Sequence, residues 1–277
     1  MSAALLPEVV QTHGVRRREP GRVLAGLILG ALALFAVLGP LLLPDPTSQD
    51  LGRYLEAPSL AEPLGTDEYG RSVLARLAHA TRLSLVLGVL CVATALVLGT
   101  ASGILAAWRG GWVDAVLRAV SEAFVAIPAL LVVLLFSALA AEGSLLTLYV
   151  GLALVQWVEY FRVVRAKAAL ILGGPAVEAA GLMQLGRVHV LRRHLWPALR
   201  TLLLTLASLG MVTSILAMST LGFVKVGLQP PRAELGLMVT EAFPFYDVAP
   251  WLALAPVTVL FLLTAGFLGL RHREVSP

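Results

Sequence analysis

Long uncharged apolar runs recur along the chain, separated by shorter polar connections. They fall at residues 23–43, 83–108, 123–141, 143–158, 201–224 and 248–270. Each is continuously apolar instead of alternating over about ten residues, so the pattern predicts membrane-spanning helices and not barrel strands. Six such helices make an all-α polytopic membrane protein. The run at 143–158 is the shortest, bounded by Glu142 and Glu159. It is expected to continue past Glu159 toward Val164, with that carboxylate turned to protein or to the membrane interface. Pro128 removes a backbone donor inside the third run and is expected to bend it.

The connections set the orientation. An even number of spans puts both termini on one side, and Lys and Arg in short loops stay cytoplasmic. With both termini inside, about fifteen of the 21 Lys and Arg residues are cytoplasmic and about six are outside, namely Arg53, Arg71, Arg76, Arg82, Lys225 and Arg232. The chain then divides into a cytoplasmic tail (1–21), a first helix (22–43), an extracytoplasmic segment (44–79), a helical core (80–270) and a cytoplasmic end (271–277). The first run is too long for a signal-peptide core and lacks a small-x-small cleavage site. The residues after Arg16-Arg17-Arg18 do not suit a twin-arginine export signal.

Composition agrees: 58% of residues are hydrophobic and only 14% charged, with a mean hydropathy of +0.86. The net charge of +4 is spread over short loops, so topology explains it and no nucleic-acid partner is implied. Cys91 is the single cysteine, which excludes an intramolecular disulfide. The hydroxyls of Ser137, Thr147, Thr205, Ser208, Thr213, Ser214, Ser219 and Thr220 are candidates to line a polar pathway, against the ordinary alternative that they bond to their own helix or a neighbour.

Residues 157–200 are the one long polar break, with seven Lys and Arg residues: Arg162, Arg165, Lys167, Arg187, Arg192, Arg193 and Arg200. Within it, Glu178-Ala179-Ala180 is followed by His194-Leu195-Trp196-Pro197 and preceded by Tyr160-Phe161-Arg162-Val163-Val164-Arg165. Two small alanines keep a short helix slim enough to enter a groove on another protein, and Glu178 with the flanking arginines offers charged anchors. This loop, at about 166–197, resembles the EAA signature of ABC importer permeases. The family's glycine six residues after the glutamate is here Gln184, with Gly186 two positions later. A positive-φ turn must therefore shift or be made by a non-glycine residue.

Two further stretches resemble the C-type permease subunits of dipeptide, oligopeptide and nickel importers. Gly65-Thr66-Asp67-Glu68-Tyr69-Gly70-Arg71-Ser72 with Arg76 is similar to their G-T-D-x-x-G-R-D signature, Ser72 replacing an acid. It reads as a glycine-rich turn before a short amphipathic helix, with Arg71 and Arg76 free to pair with acids or to sit at headgroup level. Gly227, Gln229-Pro230-Pro231 and Gly236 fall where the family has L-G-x-G-x-Q-P-P-x-x-x-W-G, Leu235 replacing the tryptophan.

The resemblance implies a six-helix type I ABC importer permease in the bacterial inner membrane, paired with a homologous second permease subunit. Two cytoplasmic ABC ATPase subunits would grip Glu178, Ala179, Ala180, Gln184, Gly186, Arg187, Arg192, Arg193, His194 and Pro197. An extracytoplasmic substrate-binding protein would deliver di- or oligopeptides, nickel or another small solute. The chain itself has no phosphate-binding glycine loop with a lysine, no zinc spacing and no G-x-S-x-G, so no cofactor and no catalysis are assigned to it. An ATP-independent secondary transporter or channel is the alternative, and it would need its own coupling-ion site or inverted repeats. An intramembrane hydrolase lacks a nucleophile constellation.

Overall fold

The computed structural model describes residues 20–139, 144–226 and 228–270. The expected tails, residues 140–143, the side chain of Ser137, and Gly227 lie outside them. Among the described residues the chain is helical, with one isolated bridge between Thr66 and Ser72. Its helices are α1 (Pro20–Leu42), α2 (Val73–Arg109), α3 (Gly111–Val125), α4 (Ala129–Leu139), α5 (Leu145–Leu172), α6 (Pro175–Leu182), α7 (Arg187–Val190), α8 (Trp196–Phe223), α9 (Leu235–Ala242) and α10 (Trp251–Gly269).

A helix stands at each of the six apolar runs. Four segments are long and apolar enough to cross a membrane: Gly21–Leu42, Val73–Arg109, Arg187–Phe223 and Trp251–Gly269. The bent pair α3 and α4 makes up to five. α5 is 28 residues long but carries Gln156, Glu159, Arg162 and Arg165, and is not among them.

The boundaries differ from expectation in informative ways. The third run does not start a helix at residue 123. It belongs to two helices that meet at 88° across Ala126, Ile127 and Pro128. Proline cannot donate a backbone hydrogen bond, and Leu131 N instead reaches the Pro128 carbonyl at 2.8 Å. The turn before the second run leads into no separate amphipathic helix, because α2 runs unbroken for 37 residues from Val73. Arg76 can sit in its first turn because carboxylates neutralise it. α5 extends to Leu172, two turns beyond the expected limit, as Arg165 pairs bidentately with Asp114 of α3.

α2 and α5 form the centre of the bundle, and small residues explain how closely they approach. Ala95, Gly99, Gly103 and Ala106 recur on one face of α2, and all are buried. A Cβ on Gly99 would lie 2.5 Å from Tyr160 Cβ, and one on Gly103 would lie 3.0 Å from Arg165 N. This is the small-residue packing that lets membrane helices gain dispersion contacts where lipid offers no hydrophobic drive. Tyr160 is fully buried and donates to Leu206 O of α8 at 2.8 Å. α1 is held by Gly39 against Ala78 of α2, and α10 by Gly266 and Gly269 against Leu29 and Ala25 of α1.

Candidate functional site

One end of the bundle carries the hairpin of α6 and α7. Pro175 starts α6 in its first turn, where its missing donor costs nothing. α6 ends in a Schellman motif, with Leu185 N donating to Ala180 O at 2.9 Å and Gln184 N to Gly181 O at 2.9 Å. The residue that must be left-handed is Gln184, at φ +55°. The turn has therefore not shifted to Gly186, whose φ of −65° is extended; a glutamine makes it.

Glu178 and Ala179 are exposed, as are Gly186, Arg187, Arg192 and Arg193. Ala180 is not: it is buried against its own chain. The exposed apolar side chains of the hairpin include Leu182, Met183 and Val188, which are 84%, 65% and 64% exposed. Leu191–Leu195 form one π-helical turn joining α7 to α8, with Pro197 in the first turn of α8. The rings of His189 and His194 lie 6.0 Å apart, tilted at 56°. The hairpin thus exposes both charged and apolar side chains and is mounted on the start of a continuous helix.

The opposite end is closed by the segment before α2. Gly65 and Gly70 take φ of +69° and +67°. A Cβ on Gly65 would lie 2.2 Å from Glu56 O, and one on Gly70 would lie 1.7 Å from Asp50 O. Both glycines therefore let two backbones touch. Thr66 is fully buried, donates to Arg53 O and accepts from Glu56 N.

Asp67 is the hub. Its Oδ1 accepts from Tyr69 N and Arg71 N, both at 2.9 Å, while Oδ2 accepts from Arg71 Nε at 2.6 Å and Arg76 Nη1 at 2.5 Å. Arg76 Nη2 continues to Glu241 Oε2 of α9, also at 2.5 Å. Arg71 and Arg76 are each only 2% exposed, so of the two sequence alternatives the acid pairing holds. Breaking one partner of such a buried network costs about 3–5 kcal/mol, because the other charge is stranded. Ser72 compensates for the missing acid by donating to Glu62 Oε2 at 2.6 Å. These residues hold α2 to α9 and present no surface to a partner.

The late loop leads into α9. Gln229, Pro230 and Pro231 are exposed, and the Pro230–Pro231 bond is cis. Gly236 is buried, with its α-carbon close to the Ser219 carbonyl of α8. Glu234 caps α9: its carboxylate accepts from Leu237 N at 2.8 Å and from Ser219 Oγ at 3.0 Å while 1% exposed. Burial pushes its carboxyl above the ordinary value, against the N–H groups that favour the charged form.

Of the candidate pathway hydroxyls, Thr205, Ser208 and Thr220 bond back to carbonyls one turn earlier on α8. Ser219 is taken by Glu234. Thr213 and Ser214 line a cavity between α4, α5 and α8. Sequence reasoning missed Glu62, Glu234, Glu241, the Asp114–Arg165 tie and Gln156. Their partners lie on other elements, and the only local sign was a carboxylate or amide in an otherwise apolar neighbourhood.

The profile of the family described as binding-protein-dependent transport system inner membrane component matches residues 99–273. A dipeptide transport system permease protein, DppC, of Haemophilus influenzae is 30% identical over 263 residues, covering 91% of this chain and 87% of the relative. Its namesake in Bacillus subtilis is 32% identical over 238 residues, covering 85% and 74%. A glutathione transport system permease protein, GsiD, of Pectobacterium atrosepticum is 29% identical over 252 residues, covering 90% and 83%. The profile takes in the hairpin, the cavity and the late loop together, so these are features of one inherited architecture: the chain belongs to the binding-protein-dependent transport system inner membrane components, multi-pass proteins of the bacterial inner membrane.

Proposed function

We propose that the chain is the permease subunit of an ATP-driven importer of di- or oligopeptides, with six spans, a type I permease fold and both termini in the cytoplasm. It forms the translocation pathway with a homologous second permease. Two cytoplasmic ATPase subunits hold the α6–α7 hairpin, and a substrate-loaded binding protein docks at the opposite, extracytoplasmic end. The observation that carries this reading is the hairpin itself. It leaves the apolar Leu182, Met183 and Val188 exposed along with the charged Glu178, Arg187, Arg192 and Arg193, the mix of apolar and charged side chains that a docking surface uses.

The mechanism is alternating access driven from outside the chain. The ATPase pair must bind the hairpin with different free energy when open and when closed, since a partner with equal affinity for both states shifts nothing. α7, the π turn and α8 form one helical stretch from Arg187 to Phe223, so displacement at the hairpin is carried toward the far end as rigid-body motion. Peptides are favoured as cargo by the relatives, which are dipeptide and glutathione permeases. Uptake of radiolabelled dialanine in proteoliposomes, with the second permease and binding protein present, tests this. Uptake should require the ATPase subunits and ATP; equal uptake without them would establish an ATP-independent transporter instead.

A further inference from the structure

The cavity between α4, α5 and α8 is used by neither the hairpin nor the closed end. It has a volume of about 270 Å³ and apolar walls such as Val133 and Leu152, except where Gln156, Glu159, Thr213 and Ser214 meet. Gln156 and Glu159 are three residues apart on α5 and so share a face. The amide and threonine donors on this polar side are already committed, and Ser214 Oγ is engaged as an acceptor. Gln156 Nε2 donates to Gly210 O at 3.0 Å and to Ser214 Oγ, and Thr213 Oγ1 donates to Gly210 O at 3.1 Å. Gln156 Oε1 is left as a buried acceptor without a donor among the described residues. Glu159 is exposed on the chain's surface and has no hydrogen bond or ion pair among the described residues. No Lys or Arg lines the cavity; Arg162, one turn further along α5, is not part of its wall.

Glu159 is near the middle of α5, which runs from Leu145 to Leu172. Under the importer reading, on which this inference rests, the span runs from residue 143 toward Val164, so Glu159 lies within its cytoplasmic half, one turn before Arg162. A carboxylate there is strongly disfavoured against lipid and must face protein or a water-filled path. The polar wall offers acceptors and one negative charge, the complement of a primary ammonium with three donors and no acceptor.

We infer that Glu159, with Gln156 behind it, forms a subsite in the translocation pathway for the ammonium group of the passing substrate. For a peptide this is its N-terminal amine. The charge keeps a cationic end solvated as it passes the cytoplasmic half of the span, and it favours cargo with a free amine over cargo without one.

The test compares initial uptake of dialanine and N-acetyl-dialanine in proteoliposomes holding the complete complex. Relative to the unsubstituted complex, Glu159→Gln should lower dialanine uptake by about tenfold or more, the scale of one hydrogen bond to a charged group. It should leave N-acetyl-dialanine uptake nearly unchanged, so the ratio of the two rates falls toward one. Glu159→Asp, which keeps the charge, should recover part of the selectivity. Equal loss of both probes, or failure of Glu159→Gln to assemble with the second permease, would overturn the subsite and identify Glu159 as paired with a basic residue of that subunit. Unchanged dialanine uptake would also overturn it. Absence of dialanine uptake in the unsubstituted complex would sink the peptide reading itself, a different result from any effect confined to the variant.

Discussion

Gln184 occupies the left-handed region at φ +55°, where an L side chain pays roughly 1–2 kcal/mol and glycine pays none. The Schellman bonds around it are complete, so the hairpin's geometry survives at the cost of its stability. Gln184→Gly should raise the stability of the hairpin by about 1 kcal/mol. Hydrogen exchange at Gln184 N and Leu185 N, in detergent or nanodiscs, should slow by about fivefold; unchanged exchange would mean that the turn is held by contacts other than its own capping. Gly65 and Gly70 present the opposite case, because there the carbonyls of Glu56 and Asp50 fill the space a side chain needs. Both glycines were recognisable as turn residues from the sequence. That they allow backbone contact, and that Ala180 turns inward while Leu182 and Met183 turn out, depends on neighbours the local pattern does not contain.

Among the elements, α9 is a short helix whose start rests on one buried acid. Glu234 supplies the acceptor for Leu237 N and joins α8 through Ser219. Glu234→Ala strands both donors and should destabilise the folded protein by about 1–3 kcal/mol, read from thermal unfolding in detergent. The charge has a separate effect. Because burial raises this carboxyl above its ordinary 4.5, the folded chain keeps a proton that the unfolded chain releases. Its stability contribution is therefore full below that ordinary value and declines as pH rises through the raised one. Glu234→Gln keeps an acceptor for Leu237 N and cannot ionise, so its melting temperature relative to the parent should climb as pH is raised above 4.5. A constant difference across pH would show that Glu234 titrates as it does in the unfolded state. α2 shows the same dependence on distant charge: its helix begins at Val73, not at residue 83, because Asp67 and Glu241 neutralise Arg76.

At the scale of the whole molecule, the two ends are built for different tasks. The end carrying Asp67, Arg71, Arg76 and Glu241 is locked by buried ion pairs, whereas the hairpin end leaves charged and apolar side chains unsatisfied by its own chain. The helical stretch from Arg187 to Phe223 is on the order of 55 Å long at 1.5 Å per residue, enough to link them. Glu178→Arg, on the exposed hairpin, should cut ATP-dependent uptake by about tenfold, within the range of a coupling free energy of 1–3 kcal/mol. Membrane insertion should match the parent, since Glu178 is exposed and makes no ion pair with its own chain among the described residues. Normal uptake in that variant would remove the glutamate from the coupling surface.

The class of fold, the places of the apolar helices, the break at Pro128 and the polar hairpin were all legible in the residues alone. Those follow from hydropathy, proline chemistry and residue spacing, all local properties of the chain. Which charges hold helices together and which stay available emerged from the packing of the helices in three dimensions. Arg71 and Arg76 look as free as Arg187 and Arg192 in the linear pattern, yet Asp67 and Glu241 pair with the first two in a buried network, while Arg187 and Arg192 stay exposed among the described residues. The physical reason is that the free energy of a charge in a low-dielectric interior is set by the groups within a few ångströms of it, and for Arg76 one of those groups lies 165 residues away.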